Sequence, residues 1–240
     1  MARCFLAGGR CGRLGDPCAS GRCVARTVHR LHQRSWREKL GLFFVEGEDA
    51  VAAATAEPAF LLRAGTDVEP ALLAEVATAA HPPRVIGVYR REDLPAREER
   101  PVTLALWRVA DPGNIGTLLR TAEAFGAAVA LSEGCADPTS PKALRASAGS
   151  IWRVPLGDWA GADMGQRRVA LVAHGGRSLG ELDLSGRVVF LLGAEREGLP
   201  DEVDRDAGAT IPIRGAESLN VATAGAIALY EWRRQQPPDV

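Results

Sequence analysis

Residues 102–109, VTLALWRV, form a nearly unbroken apolar run that ends at the turn Asp111-Pro112-Gly113. Behind it, Ile115, Leu118, Leu119, Ala122 and Phe125 recur at helical spacing. A run apolar at nearly every position suits a strand buried on both faces of a parallel sheet. The second set lays one apolar stripe along a helix, and Gly126 is placed to stop it. AAVALS (127–132) reads as the next strand, and Ser140-Pro141 opens a helix to about residue 148. Further strands are predicted at 169–173, 188–192 and 209–213, with a last long helix at 219–235. Strand–helix alternation of this kind specifies an α/β domain with a mostly parallel sheet. Ligands of such domains sit at the carboxyl ends of the strands.

The preceding residues read as a smaller β/α unit. A helix is predicted over 24–40, where Val28, Leu31, Trp36 and Leu40 are loosely spaced. Strands follow at 42–47, 59–63 and 84–89, and helices at 48–57 and 70–80. No internal repeat is visible. The expected organisation is a Cys/Arg/Gly-rich flexible leader (1–23), a small N-terminal domain (24–90), a charged, proline-bounded linker (91–101) and the larger domain (102–240).

Composition narrows the class. Of 240 residues, 46% are hydrophobic and 25% charged, an ordinary globular balance. No apolar run approaches the roughly 20 residues of a membrane span. MARCFLAGGRCGRL makes a poor secretory signal, so a cytoplasmic location without membrane contact is expected. The net charge of −1 hides an asymmetry. Residues 1–39 carry nine basic residues against Asp16 and Glu38, so this arm is +7 and the remainder −8. A basic arm on an acidic body suits a polyanionic partner, although arginine is also simply the favoured cation of this chain. Cys4, Cys11, Cys18 and Cys23 crowd the N-terminus without the short paired spacing of zinc modules, so no metal site is expected.

Three loops at predicted strand ends hold the unusual residues. The first starts at Asp111 and carries Asn114 and Gly116 at the helix start, with Arg120 at the margin of the apolar stripe. A guanidinium there needs a ligand or a partner such as Glu123. The second, LLGAEREGLP from Leu191, lets a ligand approach closely at Gly193 and Gly198. It lacks the glycine and lysine spacing of a phosphate loop, and its glutamates, Glu195 among them, suit a cationic ligand. The third runs from Ile211 through Ser218 and Asn220 into a helix rich in small residues: Ala222, Ala224, Gly225, Ala226 and Ala228. Taken alone, Ser218 is most simply a helix N-cap.

In this order the loops resemble the TrmH/SpoU family of the SPOUT methyltransferases. The match is N-x-G-x-x-x-R-T-A at 114–122, G-x-E-x-x-G-L at 193–199, I-P-x-x-G at 211–215 and S-L-N-V at 218–221. It spans 102–235 and extends more weakly over 27–90, where LHQRSWREKLGLFFVEG (31–47) is similar to the family's N-terminal substrate-binding domain.

The resemblance implies an α/β fold with a SPOUT-type parallel sheet and a C-terminal deep trefoil knot, plus a small N-terminal α/β (L30e-like) domain that binds RNA. It implies a homodimer that uses S-adenosyl-L-methionine to methylate a ribose 2′-hydroxyl of RNA, ribosomal more readily than transfer RNA. Gly193, Ile211 and Leu219 are then expected to hold the cofactor, with Ala173, Gly175 and Gly198. Catalysis falls on Asn114, Arg120, Glu195, Ser218 and Asn220. Arg120 would activate the hydroxyl as a base or, since a guanidinium keeps its proton, hold the neighbouring phosphate and stabilise the developing alkoxide. Asn114 and Glu195 would orient it, and Ser218 and Asn220 would fix the loop and the ribose. No metal is required.

Two other readings compete. A non-catalytic RNA-binding protein on the same fold would have little use for Arg120 and Glu195. A dinucleotide-dependent oxidoreductase would carry the glycine fingerprint that is missing here.

Overall fold

The computed structural model describes residues 3–6, 9–13, 21–79, 81–161 and 166–237. The chain divides into two compact units, residues 1–94 with 139–141, and residues 95–138 with 142–240.

The first unit begins with two strands that pair antiparallel, β1 (Arg3–Leu6) and β2 (Gly9–Arg13), within the span read as a flexible leader. Residues 14–20 of that leader lie outside the described residues. Then follow α1 (Gly21–Leu31), α2 (Arg34–Leu40), β3 (Leu42–Glu46), α3 (Glu48–Ala52), β4 (Phe60–Arg63), α4 (Pro70–Val76) and β5 (Val85–Arg90). The strands pair antiparallel in the order β3-β5-β4. Val24, Val28, Leu31, Phe44, Leu73, Ile86 and Val88 form their core. Each such side chain, fully buried, contributes about 1.5–3 kcal/mol.

The helix predicted over 24–40 is broken at His32-Gln33. Arg37 explains how the break is tolerated. It is 3% exposed, and its guanidinium donates to the carbonyls of Leu31 and His32 at 2.8 and 2.9 Å. Those carbonyls are among the ones a helix end leaves unpaired. Gly41, at φ +63, supplies the left-handed residue that closes α2.

The second unit contains β6 (Val102–Leu106), α5 (Pro112–Ala124), β7 (Ala128–Leu131), α6 (Pro141–Ser147), β8 (Leu156–Asp158), β9 (Arg167–Leu171), β10 (Arg177–Ser178), β11 (Val188–Leu192), β12 (Ala207–Thr210) and α7 (Val221–Gln235). Its seven strands lie in the order β10-β12-β9-β11-β6-β7-β8, and every pairing is parallel. The predicted α/β class is therefore the observed one. Both central strands, β6 and β11, are buried along their whole length, which is why their sequences are apolar at successive positions. Leu106, Leu171 and Leu192 stand in register at the carboxyl ends of β6, β9 and β11. The loops that follow them leave from one edge of the sheet.

Helix α7 lies directly on α5 and the sheet. A Cβ at Gly225 would come within 2.5 Å of Leu118 and 3.1 Å of Leu192. Ala222, Gly225 and Ala228 are buried inside this unit. Ala222, Gly225 and Ala228 thus serve close packing within the chain. Among the described residues, no helix is long and apolar enough to cross a membrane.

Candidate active site at the carboxyl edge of the parallel sheet

Asp111 and Pro112 set the start of α5. The Asp111 carboxylate accepts from the backbone N–H groups of Gly113 and Asn114, and proline follows at the first helical position. Lys142 of α6 donates to the other carboxylate oxygen at 2.8 Å. This ammonium, with the two backbone donors, holds the Asp111 carboxyl below the usual carboxylate range, although partial burial opposes the shift. The cap fixes the first turn and therefore the direction of the Asn114 side chain.

Asn114 is the centre of a hydrogen-bond chain across three loops. Its amide nitrogen donates to Glu195 Oε1 at 3.0 Å, and its amide oxygen accepts from Asn220 Nδ2 at 3.0 Å. The Ala110 N–H points at Glu195 Oε2 from 3.5 Å. Asn220 has a second role, because its side-chain oxygen caps α7 by accepting from the N–H groups of Ala222 and Thr223. One asparagine thus couples a helix start to the chain. The three residues line a cleft of about 820 Å³ together with Arg108, Thr117, Arg196 and others.

The remaining predicted site residues are placed differently. Arg120, expected at the margin of the apolar stripe with a ligand or a partner, is exposed. Among the described residues its side chain has no hydrogen bond or ion pair. Glu123, the partner considered for it, is bound by Arg153 instead, and that pairing lowers the Glu123 carboxyl. Arg120 lies one turn beyond Thr117 on the same side of α5. Ser218 is also exposed and does not cap α7; Asn220 does. A cap must immediately precede the first helical residue, which is Val221.

The glycines of the motifs divide by role. At Gly116 a Cβ would sit 2.3 Å from the Ala143 carbonyl oxygen, so this glycine permits α5 and α6 to touch. At Gly193 a Cβ would fall 2.2–2.5 Å from the backbone of Gly198 and Leu199. The loop folds back on itself there, closed by paired backbone hydrogen bonds between Ala194 and Gly198 at 3.1 and 2.9 Å. Gly193, Gly198, Ile211, Leu219, Ala173 and Gly175 do not line the cleft. They belong to the loops after β9, β11 and β12, three adjacent strands.

The SpoU rRNA Methylase family profile matches residues 101–230. This chain belongs to that family. It is 30% identical to an uncharacterised tRNA/rRNA methyltransferase of Synechocystis sp., over 89% of this chain and 91% of the relative. It is also 30% identical to a 23S rRNA guanosine 2′-O-methyltransferase of Bacillus subtilis, over 85% and 93%. Among solved structures, an AdoMet-bound rRNA methyltransferase from Sinorhizobium meliloti superposes with a TM-score of 0.77 at 29% identity, covering 88% of this chain and 94% of the other. The chain spans about half the length of further curated relatives that it matches. The protein is of the RNA methyltransferase class. Sequence reasoning read Asp111 as part of a turn and missed Lys142. An Asp-Pro pair before an apolar stripe is itself a capping signal, whereas nothing local announces Lys142.

Proposed function

We propose that this chain methylates a ribose 2′-hydroxyl of RNA, ribosomal in preference to transfer RNA, with S-adenosylmethionine as methyl donor. The observation that carries this reading is the hydrogen-bond chain Asn220–Asn114–Glu195, which joins one residue from each family motif in a single cleft. The name of the Bacillus relative supports the ribose as target, and the AdoMet-bound neighbour supports the donor.

The residues fit that donor. Loops after three adjacent parallel strands share one edge, the place where α/β sheets take ligands. Gly175 and Gly198, at φ +77 and +70, carry no side chain into the open space beside them. Backbone groups around Gly193, Ile211 and Leu219 would hold the adenosine, with Ala173 and Gly175 adjacent. When bound, the donor supplies an electrophilic methyl group on a good leaving group. The protein's task is to position the 2′-hydroxyl and manage its proton. Arg120, exposed and unpaired, is free to meet the phosphate beside the target ribose and stabilise negative charge on the oxygen. Glu195 and Asn220, held through Asn114, present fixed acceptor and donor groups to the sugar. Ser218, exposed two residues before Asn220, would meet the ribose.

A homodimer accompanies this reading. Thr223, Ile227 and Tyr230 share the outer face of α7, and Tyr230 is 61% exposed. An isologous pairing would cover them. In the first unit, Trp36 lies between Arg30 at 4.9 Å and Lys39 at 4.8 Å. Arg26 and His29 are exposed on α1 nearby in sequence, a cationic face suited to RNA phosphates. Mapping of 2′-O-methyl groups in RNA from a deletion strain tests the function. Loss of one ribose methylation, restored by the wild-type gene, is expected; an unchanged map contradicts it.

A further inference from the structure

We propose that Arg108 grips an RNA phosphate in the cleft and that Glu197, its weak ion-pair partner in the free protein, gives it up when RNA arrives. The inference rests on the RNA-methylating reading above and names the residue that seats the substrate.

Arg108 follows directly on the β6 ladder, which Trp107 prolongs by donating its N–H to the Leu192 carbonyl at 2.8 Å. There the chain turns. Arg108 takes φ +49, one of two non-glycine residues with positive φ among those described. Its own N–H is received by Ser132 Oγ at 2.8 Å. The left-handed region is costly for a residue with a Cβ, and a glycine would make this turn more easily. Strain of this kind concentrates at functional sites, and here the strained residue brings a guanidinium to the cleft.

The side chain has a prepared place. It lies along Gly134, where a Cβ would meet Arg108 Cγ and Nε at 3.2 and 3.3 Å. It lines the cleft together with Asn114, Glu195 and Asn220. Nearby negative charge is already engaged in part: Lys142 binds Asp111, and Asn114 binds Glu195. Glu197 stands 3.9 Å from the Arg108 guanidinium, and the two side chains are 76% and 57% exposed. Such an open pair is weak. A phosphate offers a bidentate, charge-assisted replacement. Every internal RNA ribose is flanked by two phosphodiesters, so a substrate that brings one to Arg120 carries another for Arg108 to take.

Arg108→Gly removes the guanidinium while favouring the observed backbone, so its melting temperature should equal or exceed the wild type's. With unmethylated ribosomal RNA from the deletion strain, this variant should raise the KM for RNA about tenfold with little change in kcat. The salt dependence of RNA binding should lose about 0.7–0.9 of its logarithmic slope, the share of one phosphate. Affinity for S-adenosylmethionine should be unchanged, and Arg108→Lys should restore part of the RNA affinity. Glu197→Gln should lower the KM for RNA, and that gain should vanish in the double variant. An Arg108→Gly protein with wild-type KM and salt slope overturns the proposal, as does a raised KM in Glu197→Gln. If the wild type itself transfers no methyl group to RNA, the functional reading fails and this one with it.

Discussion

The side-chain amide of Asn114 donates to Glu195 across 3.0 Å, although 81 positions separate the two in the chain. The contact exists because β6 and β11 are neighbours in exact register, Leu106 beside Leu192. The loops that leave them are therefore side by side. Asn114→Ala cuts Glu195 and Asn220 apart while leaving the Asp111 cap in place. Single-turnover methyl transfer should fall about 100-fold, with donor affinity nearly unchanged. Asn114→Asp should be no better, since it sets two carboxylates against each other.

Arg120 offers the cleanest separation of chemistry from stability. It is exposed and has no partner among the described residues. Arg120→Ala should therefore leave unfolding within about 0.5 kcal/mol of wild type. Methyl transfer should drop by at least ~10²–10³, with donor binding retained in calorimetry. A fully active variant would remove Arg120 from the mechanism.

Two glycine substitutions should fail for different reasons. Gly116→Ala drives a Cβ to 2.3 Å from the Ala143 carbonyl, and such overpacking costs about 1–3 kcal/mol. Urea denaturation reads that loss directly. Gly193→Ala collides with the backbone of its own loop. It should abolish donor binding in calorimetry and lower the melting temperature as well.

The Asp111–Lys142 pair gives a pH test. Because Lys142 and the capping N–H groups depress the Asp111 carboxyl in the folded state, its stabilisation is present above the unfolded value, about 3.9. That stabilisation is lost as pH falls through the lower folded value. Asp111→Asn keeps an acceptor for the cap and loses the ion pair. The stability gap between wild type and variant should be widest near neutral pH and close below about pH 4. The pair is half exposed, so the gap should not exceed about 1 kcal/mol after screening.

Elements with a strong local signal were legible in the sequence. β6, α5, β11 and α7 announce themselves through unbroken apolar runs, a helical stripe and a polar start, and all four are present. β8 and β10 were not foreseen, since three-residue and two-residue edge strands are defined by their neighbours. The first unit's alternation of strand and helix gave no sign that its sheet is antiparallel, because pairing direction depends on long-range contacts. In the site, Asn114, Glu195 and Asn220 follow from their motifs. The exposure of Arg120 does not, because stripe position alone leaves a long side chain free to turn outward. Nor does Asn220 acting as cap in place of Ser218, which depends on where α7 begins.

Methyl transfer to a ribose 2′-hydroxyl leaves a chemical signature that methylation of a base does not. Its most direct test is incubation of the protein with tritiated S-adenosylmethionine and unmethylated ribosomal RNA, followed by alkaline hydrolysis. A methylated 2′-hydroxyl cannot attack the neighbouring phosphate, so the labelled linkage should survive as an alkali-stable dinucleotide. Label recovered in alkali-labile nucleotides bearing a methylated base, or no label in any RNA, would contradict the account.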